Sequence, residues 1–173
     1  MKQLGIFIMV IGGFLATATL AQADHIRALL TGYEETPAAV STTGRGLFRA
    51  TISDDGQSIN YTLTYRRLQA PVTQAHIHVG QLSITGSVVI FLCQTSGNPD
   101  PAGLAPQCPQ EGTVTGNITA ANVIAGSQAP QQLAAGDLAA VITAIRAGAT
   151  YANVHTTVSP GGEIRGQIRT VAK

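Results

Sequence analysis

Residues 58–66, SINYTLTYR, alternate between apolar and polar side chains without a break. The apolar positions are Ile59, Tyr61, Leu63 and Tyr65. Because successive side chains of an extended chain point to opposite faces, this period of two predicts a half-buried antiparallel strand. Residues 48–52 repeat the alternation just upstream, and the intervening Asp54-Asp55-Gly56 is typical of a hairpin turn.

The same pattern continues along the chain between turns rich in glycine and proline. We predict further strands at residues 25–31, 73–80, 87–93, 112–119 and 151–156, and a last strand around residues 163–169. On the last strand Ile164 and Ile168 should face inward. The polar positions Glu163, Arg165, Gln167 and Arg169 are interpreted as a face in contact with solvent. The alternative for Arg165, if it lies near His155, is to bind an anion or to join a hydrogen-bond network. About eight short strands of this kind indicate an all-β fold, an antiparallel Greek-key-like sandwich or barrel.

One short helix is predicted around residues 137–147, inserted before the last two strands. Asp137 is suited to the N-cap position and Gly148 to the stop. The apolar positions between them follow helical spacing and are Leu138, Val141, Ile142 and Ile145. Because no internal repeat and no long linker divides the sequence, residues 24–173 are predicted to form one domain.

The N-terminus has the pattern of an export signal. Lys2 precedes an apolar stretch at residues 4–15, and Ala21-Gln22-Ala23 forms a small-x-small cleavage site. We therefore predict that residues 1–23 are a signal peptide and that the chain is secreted or periplasmic, with no membrane span after cleavage. The alternative is a retained membrane anchor, although the stretch is shorter than the roughly 20 apolar residues that a span needs.

The charge balance of the sequence bears on the class of partner that the chain could bind. Removing residues 1–23 takes away Lys2 from ten basic residues and leaves nine basic and nine acidic ones. A chain with no net charge has no electrostatic reason to bind nucleic acid. The expected partner is a metal ion or an extracytoplasmic protein of unknown identity.

Cys93 and Cys108, the two cysteines of the sequence, are predicted to form a disulfide in an exported protein. Paired metal thiolates are the alternative.

The histidines carry most of the chemical information. His76 and His78 are two positions apart, so on a strand both side chains project from the same face, opposite the apolar positions at 75, 77 and 79. If the strand at 151–156 pairs with this one, His155 completes a site of three nitrogens. Imidazole ligands suit copper or zinc, and also iron or nickel. The alternative is that the histidines are hydrogen-bonded structural residues.

His25 is a weaker candidate ligand. After cleavage at Ala23 it would be the second residue of the mature chain, close to a free amino group that could help it to bind copper. A shift of one residue in the cleavage site would change that geometry. An ordinary position on the first strand is the alternative.

Three ordered blocks of sequence resemble the CHRD domain, a domain named for chordin. The blocks are ALLTG with ETP at residues 28–37, AHIHVG with GSVV at residues 75–89, and GATYANVHT with PGGEIRGQI at residues 148–168. The resemblance implies a small exported module, and no general catalytic activity is attached to this family. The proline-rich loop between Cys93 and Cys108 is not a fixed feature of the family.

A looser likeness to copper-zinc superoxide dismutase rests on a sandwich with an HxH strand pair. Too few histidines are present for two metals, and dismutase activity is therefore disfavoured. No nucleophile elbow or phosphate loop is present, so enzymatic activity is left open without a candidate catalytic residue. Two functions remain: an exported module that binds copper or zinc, and a metal-free extracytoplasmic interaction or structural module.

Overall fold

The computed structural model describes residues 24–171. The predicted signal peptide at residues 1–23 lies outside the described residues. Within the described range nine strands are formed: β1 (Asp24–Thr31), β2 (Arg45–Ile52), β3 (Ile59–Arg66), β4 (Val72–Val79), β5 (Ser87–Cys93), β6 (Gly112–Ile118), β7 (Thr150–Thr156), β8 (Ile164–Gln167) and β9 (Arg169–Val171). Helix α1 is Leu138–Arg146, and short 3₁₀ turns lie at Gly32–Glu34, Ala120–Asn122 and Ala129–Gln131.

All nine strands belong to one antiparallel sheet with the order β5-β4-β7-β8-β1-β2-β3-β6. Strand β9 continues after β8 along the same edge of β1. The two ends of the sheet approach each other, and the Tyr61 hydroxyl of β3 donates to the carbonyl oxygen of Leu92 in β5 at 2.6 Å. The sheet is therefore a nearly closed barrel, and the predicted all-β antiparallel fold is confirmed.

The stretch at residues 58–66 forms β3 as its alternation predicts. Its burial alternates with the sequence, and Ile59, Tyr61, Leu63 and Tyr65 face the barrel interior. Strand β3 pairs along its whole length with β2, from Ile52 opposite Ile59 to Arg45 opposite Arg66. The predicted hairpin turn joins them, with Gly56 at a φ of 67° that favours glycine. Their inward side chains pack with those of β1, β4, β5 and β7 in one core.

Helix α1 forms where the sequence predicts it. The Asp137 side chain accepts a hydrogen bond from the backbone N–H of Ala140 at 2.9 Å, which is an N-cap contact. The four apolar residues of its spacing pattern are buried against the core. Arg146 in the last turn forms an ion pair with Asp24 at 2.7 Å, which ties the helix to the start of β1. Among the described residues, no helix is long and apolar enough to cross a membrane.

A second buried layer lies on the outer face of β4, β7 and β8. We call it the outer polar layer; its members are His76, His78, Tyr151, Asn153, His155, Glu163 and Arg165. Hydrogen bonds join these side chains to the segments at residues 36–42, 81–86 and 160, which cover the layer. Both faces of this part of the sheet are therefore buried, and the outer one is polar.

The polar face of the last strand was predicted to contact solvent, and this prediction is wrong for Glu163 and Arg165. Glu163 is 0% exposed and Arg165 is 2% exposed. Their charged groups are hydrogen-bonded to the covering loops and, for Glu163, also to Thr156 of β7. Strand periodicity does not contain these contacts. Gln167 is partly buried, and only Arg169 of the four is exposed.

Candidate metal centre

The pairing of β4 with β7 brings three histidines together. His76 lies opposite Asn153 and Gln74 lies opposite His155, so the three imidazoles project from neighbouring positions on the outer face. One ring nitrogen from each of His76, His78 and His155 can be chosen so that all three lie within 4.8 Å of one another. Apolar side chains at Ala75 and Ile77 occupy the opposite, core face of β4.

Backbone carbonyls fix two of the three rings. Nδ1 of His78 lies 3.0 Å from the carbonyl oxygen of Gly86, and Nδ1 of His155 lies 2.9 Å from that of Pro160. Because a carbonyl oxygen only accepts, both rings donate from Nδ1 and keep the lone pair on Nε2. Metal-binding histidines generally have this arrangement, in which one nitrogen donates to a carbonyl or carboxylate and the other is free to bind.

His76 faces His155 directly. Its Nδ1 lies 3.2 Å from Nε2 of His155. Two nitrogens bound to one tetrahedral ion at 2.0–2.1 Å would be about 3.3 Å apart, so this separation suits a shared ion. It also suits a hydrogen bond in the absence of metal. The His76 and Phe91 rings pack in a T-shaped arrangement, with centroids 4.3 Å apart, and this contact limits how far the His76 ring can rotate.

The cluster is buried and its rings are neutral. The Nε2 atoms of His76 and His78 are buried without a hydrogen-bond partner among the described residues. Burial, with smaller contributions from the neighbouring histidines, lowers the pKa of His76 to about 2. Burial is also the largest cause that lowers the pKa of His78, to about 4, and it lowers the pKa of His155. Neutral imidazoles at pH 7 are the form that binds a metal.

The His78 ring is packed against Tyr151, which in turn contacts Arg165. The Tyr151 and His78 rings stack with centroids 4.5 Å apart, and the Arg165 guanidinium carbon lies 3.5 Å from the centroid of the Tyr151 ring. The Tyr151 hydroxyl accepts from the backbone N–H of Gly86 at 3.2 Å. Gly86 is therefore held by Tyr151 through its N–H and by His78 through its carbonyl oxygen, which fixes the distance between the two rings.

Comparison with known proteins gives one family. The family model of the CHRD domain matches residues 26–168, from β1 to the residue between β8 and β9. The chain belongs to the CHRD domain family. The match confirms the resemblance carried by the three sequence blocks, and the CHRD domain is a module of the extracellular type. Neither the curated proteins nor the solved structures gave a match.

Glu35 and Glu163 are buried carboxylates that are not part of the histidine cluster. Glu35 lies beside Gly162, where a side chain would collide with the carboxylate. Burial raises the pKa of Glu35 to about 7, and the charge of Arg165 partly opposes this rise. Glu163 accepts hydrogen bonds from the hydroxyls of Thr42 and Thr156 at 2.7 and 2.8 Å. The burial of these two groups was not predicted from the sequence, although both belong to blocks that carry the family resemblance.

The remaining candidate residues of the CHRD domain lie elsewhere. His25 is an exposed residue of β1, with Nδ1 3.1 Å from the Thr51 hydroxyl, and it is not part of the cluster. Its predicted role at a free N-terminus depends on residues outside the described range and stays a prediction. Cys93 and Cys108 form the predicted disulfide, so the alternative of paired metal thiolates is wrong.

Proposed function

We propose that this CHRD domain is an exported metal-binding module that holds one copper or zinc ion on His76, His78 and His155. The observation that carries the proposal is the hydrogen bonding of His78 and His155. Each donates from Nδ1 to a backbone carbonyl and keeps its Nε2 lone pair for another partner. The buried Nε2 of His78 has no hydrogen-bond partner among the described residues, which is costly in a metal-free protein, and a bound ion would use its lone pair.

Export is supported by three independent features. The N-terminal sequence has the pattern of a signal peptide, the family is of the extracellular type, and a disulfide closes the proline-rich loop. A role in storing or delivering a metal outside the cytoplasm agrees with these features. No acid–base or nucleophile pattern accompanies the histidines in the sequence, so we propose binding and not catalysis.

A metal-free structural module is the second candidate. The 3.2 Å contact between His76 and His155 supports it, because Nδ1–H of His76 can donate to Nε2 of His155 in the absence of a metal. In that arrangement the outer polar layer would only fix the covering loops for contact with a protein partner. The unpartnered Nε2 of His78 would then have no compensation, which favours the metal-binding proposal.

Metal titration of the metal-free domain separates the two functions. We expect one copper or zinc ion per chain by isothermal titration calorimetry, and loss of that site in the double variant His76→Ala/His78→Ala. His25→Ala is the matched control, since it removes an exposed histidine outside the cluster. Far-UV circular dichroism checks that all variants fold. Equal binding by the folded double variant and the wild type would support the metal-free module.

A further inference from the structure

A buried positive charge lies beside the three histidines. The Arg165 side chain is 2% exposed, and its guanidinium is always protonated in proteins. It donates to the carbonyl oxygens of Gln81 and Ile84 at 3.2 and 3.0 Å and to the Thr36 hydroxyl at 2.5 Å. All three acceptors are uncharged, so these contacts hold the guanidinium in place without supplying a negative charge.

The charge of Arg165 acts on the histidine cluster through Tyr151. The guanidinium stacks on one face of Tyr151, and His78 stacks on this ring in turn. A fixed cation held next to the ligand ring in this way disfavours positive charge on an ion bound by His78, because like charges repel each other and burial leaves little water to screen them.

The ligands supply no negative charge. Within the described residues, the cluster contains three neutral imidazoles and no carboxylate or thiolate. The acidic side chain whose charge interacts with Arg165 is Glu35, which is buried. Glu163 is engaged by hydroxyl and backbone N–H donors. An ion at the three histidines would therefore keep its full charge in a poorly hydrated site next to a fixed cation.

We propose that the site selects copper(I) over zinc(II), and that Arg165 sets this preference through its charge. The inference rests on the proposed metal-binding function. The repulsive Coulomb energy between the ion and a fixed cation is twice as large for a divalent ion as for a monovalent one. The charge that must be buried without a counter-ion is also twice as large. Copper accepts imidazole ligands, so the donor set does not oppose this selection.

The selectivity ratio is the dissociation constant for zinc(II) divided by that for copper(I). The copper(I) constant is measured without oxygen by competition with bicinchoninate, and the zinc(II) constant by competition with a chromophoric chelator, both at pH 8. Arg165→Gln should lower the ratio at least about tenfold, which corresponds to about 1.4 kcal/mol. Arg165→Lys keeps the charge and should keep the ratio near that of the wild type.

Glu35→Gln supplies a test in the opposite direction. At pH 8 the carboxylate is mostly ionised, and its removal leaves the charge of Arg165 without its neighbouring anion. The selectivity ratio should therefore rise. A damaged fold would weaken the binding of both metals. It would not lower the selectivity ratio in Arg165→Gln and raise it in Glu35→Gln. If Arg165→Gln does not fold, as judged by circular dichroism, the Glu35→Gln result alone decides.

The outcomes separate this inference from the proposed function. A folded Arg165→Gln protein with an unchanged or higher ratio would overturn the inference, and so would wild-type protein that binds zinc(II) more tightly than copper(I). An unchanged or lower ratio for Glu35→Gln would also overturn it. The proposed function fails on a different result, namely metal binding that the double variant His76→Ala/His78→Ala leaves unchanged.

Discussion

Nδ1 of His76 lies 3.2 Å from Nε2 of His155, although the two residues are 79 positions apart in the sequence. The contact exists because β4 and β7 are neighbours in the sheet, with β5 and β6, α1 and the disulfide loop between them in the chain. The candidate site is therefore a property of the assembled barrel. Its integrity depends on the residues that hold the covering loops as much as on the histidines.

Gly86 should not tolerate a side chain. A Cβ atom there would lie 1.7 Å from the carbonyl oxygen of Val79, and the backbone would have to move to accept it. We expect Gly86→Ala to lower the free energy of unfolding by at least about 2 kcal/mol. The shift would also displace the carbonyl that holds His78. Gly97→Ala is the matched control, because nothing lies within 4 Å of its Cβ position.

Urea denaturation of both glycine variants checks this prediction. We expect Gly97→Ala to stay within about 0.5 kcal/mol of the wild type. Equal unfolding free energies for the two variants would mean that the loop after β4 is free to move away. The carbonyl of Gly86 would then not fix the His78 ring.

Glu163→Gln should destabilise the domain by about 2 kcal/mol. The carboxylate accepts from the Thr42 and Thr156 hydroxyls and from the backbone N–H of Gln69, so an amide would place a donor against donors. Glu34→Gln, at an exposed position, should change stability by less than about 0.5 kcal/mol. Thermal or urea unfolding measures both. Similar values for the two would show that the Glu163 contacts contribute little.

Loss of the disulfide should lower stability by about 3 kcal/mol, the loop-closure value for 15 residues in the chain-entropy description. The double variant Cys93→Ser/Cys108→Ser is compared with the wild type by urea denaturation, with and without a reducing agent. Reductant should bring the wild type close to the variant and should leave the variant unchanged. Coinciding midpoints under oxidising conditions would contradict a stabilising role for the bond.

Acid should destabilise the metal-free domain because it contains buried neutral histidines. In the folded state the pKa is lowered to about 2 for His76 and to about 4 for His78, and it is also lowered for His155. In the unfolded chain these rings titrate near 6.5, so below that pH the unfolded state binds more protons. Their contribution to stability is complete above about pH 6.5 and is lost as pH falls towards 4.

Glu35 acts in the opposite direction over an overlapping range. Burial raises its pKa to about 7 from 4.5, so its contribution is complete below about pH 4.5 and is lost as pH rises through 7. Three histidines outweigh one carboxyl group, and the net free energy of unfolding should fall between pH 6.5 and 4.5. Urea denaturation across this range measures it. Glu35→Gln should steepen the fall, whereas a rise on acidification would refute the account.

Strand periodicity predicted the elements of this fold because each strand has one apolar face towards a common core. The alternation at residues 58–66 gave β3, and the helical spacing after Asp137 gave α1. Placement of His76 and His78 on one face followed from the same rule. The contact of these residues with His155 depends on the order of the strands in the sheet, which a single sequence does not specify. The prediction that His155 completes the site was therefore conditional on the pairing of β4 with β7, which the structure shows.

The outer polar layer could not be predicted in this way. Glu163 and Arg165 occupy polar positions of an alternating strand, and alternation assigns such positions to solvent. Their burial results from loops that fold back over the sheet, held by contacts such as that of Thr42 with Glu163. Thr42 and Glu163 are 121 positions apart in the chain, so no local pattern contains their contact. The sequence offered one signal of this burial, namely that Glu163 follows Gly161-Gly162 and that Arg165 precedes Gly166.

The most direct test of the account is an anomalous difference map of the crystalline domain loaded with copper or zinc, recorded at the absorption edge of the metal. We predict one ordered peak about 2.0 Å from a ring nitrogen of each of His76, His78 and His155, with Nδ1 of His78 still on the Gly86 carbonyl. A fully loaded crystal without a peak at the cluster, or with its ordered metal at His25 alone, would contradict the proposed site.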